Sequence, residues 1–115
     1  MIKNKRNGRI VSENQKACRT AFSKFKGLMF EKKINEPLIF IFEKESFVPL
    51  HMCFVFFPID VLFLDKNKVV VDKKENFLPF TFYTSKKKAM YVIELPSNSI
   101  KKSKTNIGDN IEFKI

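Results

Sequence analysis

The run from Phe47 to Leu64, FVPLHMCFVFFPIDVLFL, constrains the fold of this chain more than any other segment. It has the length of a membrane-crossing helix. Pro49, His51, Pro58 and Asp60 argue against that use. A carboxylate inside a bilayer is costly, and two prolines interrupt helical hydrogen bonding. Phe and Val also favour strands. The run therefore reads as two buried strands, broken at Phe57-Pro58, in the core of a globular protein.

Strand signals continue on both sides. Residues 38–42, LIFIF, follow Pro37 as an apolar strand, and residues 47–56 are expected to form the next. Residues 59–64 and 69–72 read as a hairpin turning at Asp65 to Lys68. Further strands are expected at 80–83, 89–95 and 110–115. A helical turn is expected within Pro96 to Lys104, and a turn at Ile107-Gly108-Asp109. Residues 9–16 carry a weaker strand signal in Ile10 and Val11. Between Ala17 and Phe30 the period changes: Cys18, Phe22, Phe25 and Met29 fall on one helical face. Gly27 marks the end of that helix. In the strand 89–95, Tyr91, Ile93 and Leu95 share one face, and Glu94, like Lys88, is read as a surface charge.

Strands recurring every 8–12 residues predict a mainly β fold. The expected architecture is a β-sandwich, jelly-roll-like, or a partly open barrel, with one short amphipathic helix packed on it. The chain has 115 residues, which suits one domain. Residues 1–8 read as a flexible tail and 9–115 as a single β-rich domain.

The formal net charge is +10, spread over short lysine groups with no arginine-rich tract. Abundant Lys, Asn, Ile and Phe are what an AT-rich genome encodes, so the charge reads as a solvated surface. No specific nucleic acid is expected as a partner. Cys18 and Cys53 make no disulfide framework, and Met1 to Arg9 contains no apolar signal segment. The expectation is a soluble, cytoplasmic monomer with reduced thiols and no membrane partner.

No phosphate-binding loop, dinucleotide fingerprint, zinc-protease motif or nucleophile elbow is present. His51 is the sole histidine, so a triad of any kind must use it. His51-Met52-Cys53 offers ligands suited to Cu(I), and Met29 adds a thioether. The competing reading is a core strand with a hydrogen-bonded histidine and a packed thiol, which is favoured; no metal and no cofactor is expected. Asp60 follows Pro58 between apolar strands. A buried carboxylate there must be paired, so Asp60 reads first as an anchor accepting backbone N–H groups and second as a polar contact in a pocket.

Four segments in order, GLMF (27–30), HMCFVFFPIDVLFLD (51–65), YVIELP (91–96) and IGD (107–109), resemble the family known as domain of unknown function 192, or uncharacterised protein family 0127. The resemblance covers about residues 16–113. The family's central motif is Phe-Trp-Met-Lys-Asn-Thr, two apolar residues, then Pro-Leu-Asp. Met52, Pro58 and Asp60 match it. Leu50, His51, Cys53, Phe54 and Val55 depart from it, in the manner of the more apolar archaeal members. No role resting on the family's Trp, Lys or Asn carries over to this chain. The resemblance implies a β-sandwich or jelly-roll-like fold and implies no activity.

Three functions are therefore carried forward. The first is a non-enzymatic module binding a small ligand or protein near His51, Met52, Cys53, Asp60 and Met29. The second is an enzyme using His51 and Asp60 as acid and base, which requires the two to converge on one site. The third is nucleic-acid binding by the basic surface, which would require the lysines to cluster on one face with Phe or Tyr exposed for stacking.

Overall fold

The computed structural model describes residues 1–19, 28–29, 31–34 and 36–115. Its strands are β1 (Ile2–Asn4), β2 (Ile10–Ser12), β3 (Lys16–Cys18), β4 (Leu38–Ser46), β5 (Pro49–His51), β6 (Ile59–Leu64), β7 (Val70–Phe77), β8 (Phe82–Thr84), β9 (Ala89–Pro96) and β10 (Ile111–Glu112); a short helix α1 spans Ser99–Ser103. They form an open five-stranded sheet in the order β3-β4-β9-β6-β7, a three-stranded sheet β10-β1-β2 and a two-stranded ribbon β5-β8. All pairs are antiparallel except β3 with β4.

The five-stranded sheet is the middle layer. Along β6, Ile59, Val61 and Phe63 enter one core, with Phe40, Val92, Met52, Val55 and Phe77. Leu62 and Leu64 enter the other, with Ile2, Ile39, Ile93, Leu95, Ile100 and Ile111. Alternation along a strand sends neighbours to opposite faces, so a sheet covered twice needs apolar residues at nearly every position. That is why β6 is buried throughout and why its sequence lacks alternation. The three-stranded sheet and α1 cover the second core, and the ribbon with its loops covers the first.

The hairpin β6–β7 turns where expected. Asp65 Oδ1 accepts the N–H groups of Asn67 (2.8 Å) and Val69 (3.0 Å), an Asx turn. Gly108, at φ 97, makes the turn before β10, a conformation that costs glycine little. Most of the expected helix over 17–30, including Phe22 and Phe25, lies outside the described residues. Its first residues differ from expectation: Ala17 and Cys18 belong to β3, paired with Ile39 and Phe40.

Two expectations are corrected. Residues 1–8 are no tail, because β1 is the central strand of its sheet, with Ile2 and Asn4 fully buried. Arg6 donates to Asp109 Oδ1 (2.6 Å) and Oδ2 (3.1 Å) and to the Lys104 carbonyl (2.8 Å), and Asn4 Nδ2 donates to Asp109 Oδ2 (2.9 Å). A polar, basic stretch is thus clasped to the loop ahead of β10. The second correction concerns 47–56, which is not one strand. Only Pro49–His51 is strand; Val55 N–H then bonds back to the Met52 carbonyl (3.2 Å), and Phe54 takes φ 59.

Asp60 shows how the layers are joined. It is 1% exposed. Its Oδ1 accepts the N–H of Asn76 and its Oδ2 that of Ile100, each at 3.0 Å. Asn76 sits at φ 50 where the β6–β7 register shifts, so one oxygen satisfies a bulge that lost its ladder partner. The other reaches the first turn of α1, whose N-cap Asn98 makes no side-chain cap. Replacing Asp60 with Ala is expected to cost about 1–3 kcal/mol in denaturant unfolding, and Asp60→Asn less, since one acceptor remains. An unchanged midpoint for Asp60→Ala would remove the anchor. A second expectation follows from the clasp. Hydrogen bonds from Arg6, then Asn4 and Asn106, hold the Asp109 carboxyl at about 2, below its ordinary 3.8. A lowered carboxylate contributes fully above its unfolded pKa and loses that contribution as pH falls through its folded one. Asp109→Asn should therefore lose less stability than the parent between pH 3.8 and about 2.

Candidate functional site

The five residues singled out from sequence do not form one pocket. Met52 is buried in the first core. His51 is exposed on the ribbon, where its Nδ1 accepts the Cys53 N–H at 3.2 Å, and Cys53 is half-buried. Met29 is half-buried beside Leu28, a member of the same core as Met52. Asp60 lies on the opposite face of the five-stranded sheet, among residues of the second core. With a sheet between them and both Asp60 oxygens accepting backbone N–H groups, His51 and Asp60 cannot serve as an acid–base pair on one substrate. Among the described residues no group of three or more His, Cys, Asp or Glu is placed to hold a metal ion.

What the structure does gather is aromatic. Phe47, Phe54, Phe56, Leu78, Phe80 and Phe82 are all exposed, Phe82 by 74% and Phe56 by 61%. They lie on and around the β5–β8 ribbon. Met52 ties the loops together: its N–H donates to the Thr81 carbonyl and its carbonyl accepts the Phe80 N–H, both at 2.8 Å. With Met52 and Val55 turned inward, Phe54 and Phe56 face solvent. Phe80 meets Phe54 edge-on (centroids 6.3 Å, 70°) and Phe56 likewise (5.5 Å, 68°). Phe54 and Phe80 hold left-handed backbones, φ 59 and 58, which is unfavourable for bulky side chains and costs roughly 1–3 kcal/mol each. A contiguous exposed apolar cluster on strained backbone is a mark of a binding surface.

The ribbon itself is rigidly seated. Its inner face presents Leu50 and Tyr83, which are paired across it. The Tyr83 ring packs on Phe63 and Phe77, and its hydroxyl donates to Asp72 Oδ2 at 2.7 Å. Burial first and the Asp72 carboxylate second push the Tyr83 phenol up to about 12, so it stays a donor. The outer face presents Pro49 and Thr84, and His51 beside Phe82. Period-two placement on a short ribbon was readable from the sequence only once its pairing was known. The apolar run by itself could not separate inward from outward phenylalanines.

Sequence reasoning missed Glu94. It is 8% exposed, not a surface charge. Its neighbours across the sheet are Leu38 and Val61, so the face of β9 opposite Tyr91, Ile93 and Leu95 meets the first core and not solvent. Among the described residues no hydrogen bond or ion pair to its carboxyl is seen, and burial alone pushes it up to about 7. Cys18, on the same face, has its thiol pushed up chiefly by burial, which leaves it unreactive. A raised carboxyl is neutral in the fold while the unfolded chain ionises earlier, so stability falls as pH rises from 4.5 towards 7. Glu94→Gln should match the parent at pH 4 and exceed it by on the order of 1–3 kcal/mol above pH 7. Equal unfolding midpoints at both pH values would show that Glu94 ionises normally.

Comparison with known proteins places this geometry. The chain is 37% identical over 117 residues to a UPF0127 protein of Thermococcus sibiricus, covering 100% of this chain and 75% of that one. It is 35% identical over 115 residues to the UPF0127 protein of Thermococcus kodakarensis, covering 98% and 73%. Among solved structures, a putative transcription regulator from Sinorhizobium meliloti matches with a TM-score of 0.86 at 22% identity, covering 96% of this chain and 88% of that one. A protein of unknown function from Novosphingobium aromaticivorans matches with a TM-score of 0.80 at 22% identity, covering 86% and 74%. At that identity the two structures speak for the fold. The pattern of the DUF192 family, described as uncharacterized ACR, matches residues 2–113, and the chain belongs to that family.

Proposed function

We propose that this chain is a non-enzymatic binding domain that docks a protein partner on the phenylalanine surface of the β5–β8 ribbon. The observation carrying the reading is the cluster of Phe54, Phe56, Phe80 and Phe82, exposed together and partly on left-handed backbone. Aromatic anchors surrounded by seated structure are the usual centre of a protein interface. The acid–base alternative loses its support because His51 and Asp60 stand on opposite sides of the sheet. Among the described residues no helix is long and apolar enough to cross a membrane. Both cysteines are free thiols, in keeping with a reducing, cytoplasmic setting.

The test uses Phe56→Ser and Phe82→Ser together. Residues that serve docking contribute little to the fold, so the double variant should unfold within about 0.5 kcal/mol of the parent. Tagged parent and variant are then used as bait in cells that express the chain, with cross-linking before lysis. A partner retained by the parent and lost by the variant, and which captures the parent reciprocally, supports docking. If the variant unfolds much earlier, the phenylalanines are structural; if both baits retain the same proteins, the surface is not the docking site.

A further inference from the structure

Resting on that docking surface, we infer that its occupant is an extended, acidic polypeptide segment that adds as a strand along the outer edge of β8 and runs on to Lys86, Lys87 and Lys88. Three observations on the ribbon converge here. The first is the edge. β8 has a single strand neighbour, β5. The cross-ribbon bonds run from Met52 N to the Thr81 carbonyl and from Ser85 N to the Val48 carbonyl. These fall on odd positions of β8, and an antiparallel ladder turns successive residues to alternate sides. The backbone groups of Phe82 and Thr84 therefore point away from β5. Among the described residues no other segment bonds to them. Such an edge is a template for an incoming strand.

The second observation is charge. Segments 47–58 and 78–90 contain three lysines, one histidine and no Asp or Glu. Of the acidic residues near them, Asp72 is buried and accepts from Tyr83 and from the Lys86 N–H (2.9 Å), Glu75 lies 3.8 Å from Lys73, and Glu45, beside the Ser46–Ala89 pair, accepts the Lys66 N–H at 2.8 Å. The third is placement. The Asp72–Lys86 bond, with Ser85 Oγ accepting the Val48 N–H at 2.9 Å, pins the exposed lysine tract just beyond the end of β8. A strand seated beside Phe82 reaches that tract within a handful of residues, on the order of 10–15 Å. A partner with a large apolar residue opposite Phe82 and carboxylates a few positions along is complementary to both ends.

Two other occupants fit less well. A single-stranded nucleic acid would want free stacking faces along a continuous cationic track. Here the rings of Phe54 and Phe56 meet Phe80 edge-on, the lysines lie at one end, and the open backbone edge would go unused. A second copy of this chain carries the same formal +10 and the same lysines, so its approach is opposed.

The test is selection of phage-displayed random peptides on the immobilised parent, followed by fluorescence anisotropy with the enriched peptides and with single-stranded oligothymidylate. Three variants separate the parts: Phe82→Ser for the apolar anchor, Thr84→Pro for the outward N–H, and Lys86→Gln, Lys87→Gln and Lys88→Gln together for the charge. All alter exposed positions, and proline is tolerated on an edge strand; circular dichroism and unfolding midpoints confirm that each is folded. Peptides enriched in Asp or Glu beside a large apolar residue, bound at least fivefold more weakly by each variant, are the expected result. Enriched peptides that lack acids and ignore the lysine variant would overturn the charge inference while leaving the docking surface standing. Binding that survives Thr84→Pro would overturn strand addition. No enrichment over Phe82→Ser would overturn the docking reading itself. Tighter binding of oligothymidylate than of any peptide would assign the surface to nucleic acid.

Discussion

The structure depends on one sheet being buried on both faces. Where β6, the start of β4 and most of β9 lie between two cores, a side chain meets protein whichever way it points. Ile39 and Phe40, or Leu62 and Phe63, are sequence neighbours in different cores. Hydrophobic burial of this kind stabilises roughly in proportion to area. It also imposes a condition on any polar group left inside, which must be paired or neutral. The three buried acids of this sheet, Asp60, Asp72 and Glu94, meet the condition differently. Asp60 accepts two backbone N–H groups, Asp72 accepts from Tyr83 and Lys86, and Glu94 has burial alone acting on it and stays protonated up to about 7.

The outer layers are fastened to that sheet by polar contacts between residues far apart in the chain. Asp60 joins β6 to a bulge 16 residues on and to a helix 40 residues on. Asp109 joins the loop before β10 to Arg6 and Asn4, closing the N-terminal strand against the C-terminal one. Lys68 donates to the Phe113 carbonyl at 2.8 Å with its ammonium 4.2 Å from that ring's centroid. Closing such long loops costs chain entropy that burial in the two cores must offset.

This explains which parts of the fold were legible. The β6–β7 hairpin, β9, the turn at Gly108 and the helical turn at Ser99–Ser103 are set by local signals: a hairpin turn with an Asx side chain, a β-rich run, a glycine, a short polar stretch. Each was readable in place. The N-terminal strand was missed because MIKNKRNGR is polar, and the partners that order it, Asp109 and the Lys104 carbonyl, lie about a hundred residues away. The segment 47–56 was misread for the opposite reason. Uniform apolarity carries no period, so it could not show that Met52 turns in while Phe54 and Phe56 turn out. Glu94 was assigned to solvent by a correct alternation and a wrong assumption about what covers that side. For the site, Asp60 was legible as an anchor because a buried carboxylate next to proline has few other uses. Its distance from His51 was not, since it depends on which face of β6 each core occupies.

Two of the sheet edges, those of β7 and β8, are treated differently. The outer edge of β7 is blunted. Val70 N–H bonds to the Asp109 carbonyl and its carbonyl accepts the Gly108 N–H, charged Lys73, Lys74 and Glu75 follow, and the bulge at Asn76 twists the far end. Those are the devices by which sheet proteins discourage edge-to-edge association. At β8 none of them is present within the strand. Its residues are Phe82, Tyr83 and Thr84, its one charged neighbourhood begins only at Lys86, and phenylalanines crowd its approach. Exposed edge and exposed aromatic surface together would promote self-association in a neutral chain. Here the lysines beside them and the formal +10 of the whole chain oppose a like-charged copy. The open edge of β8 is thus left without the blunting seen at β7, and positive charge stands beside it in place of those devices.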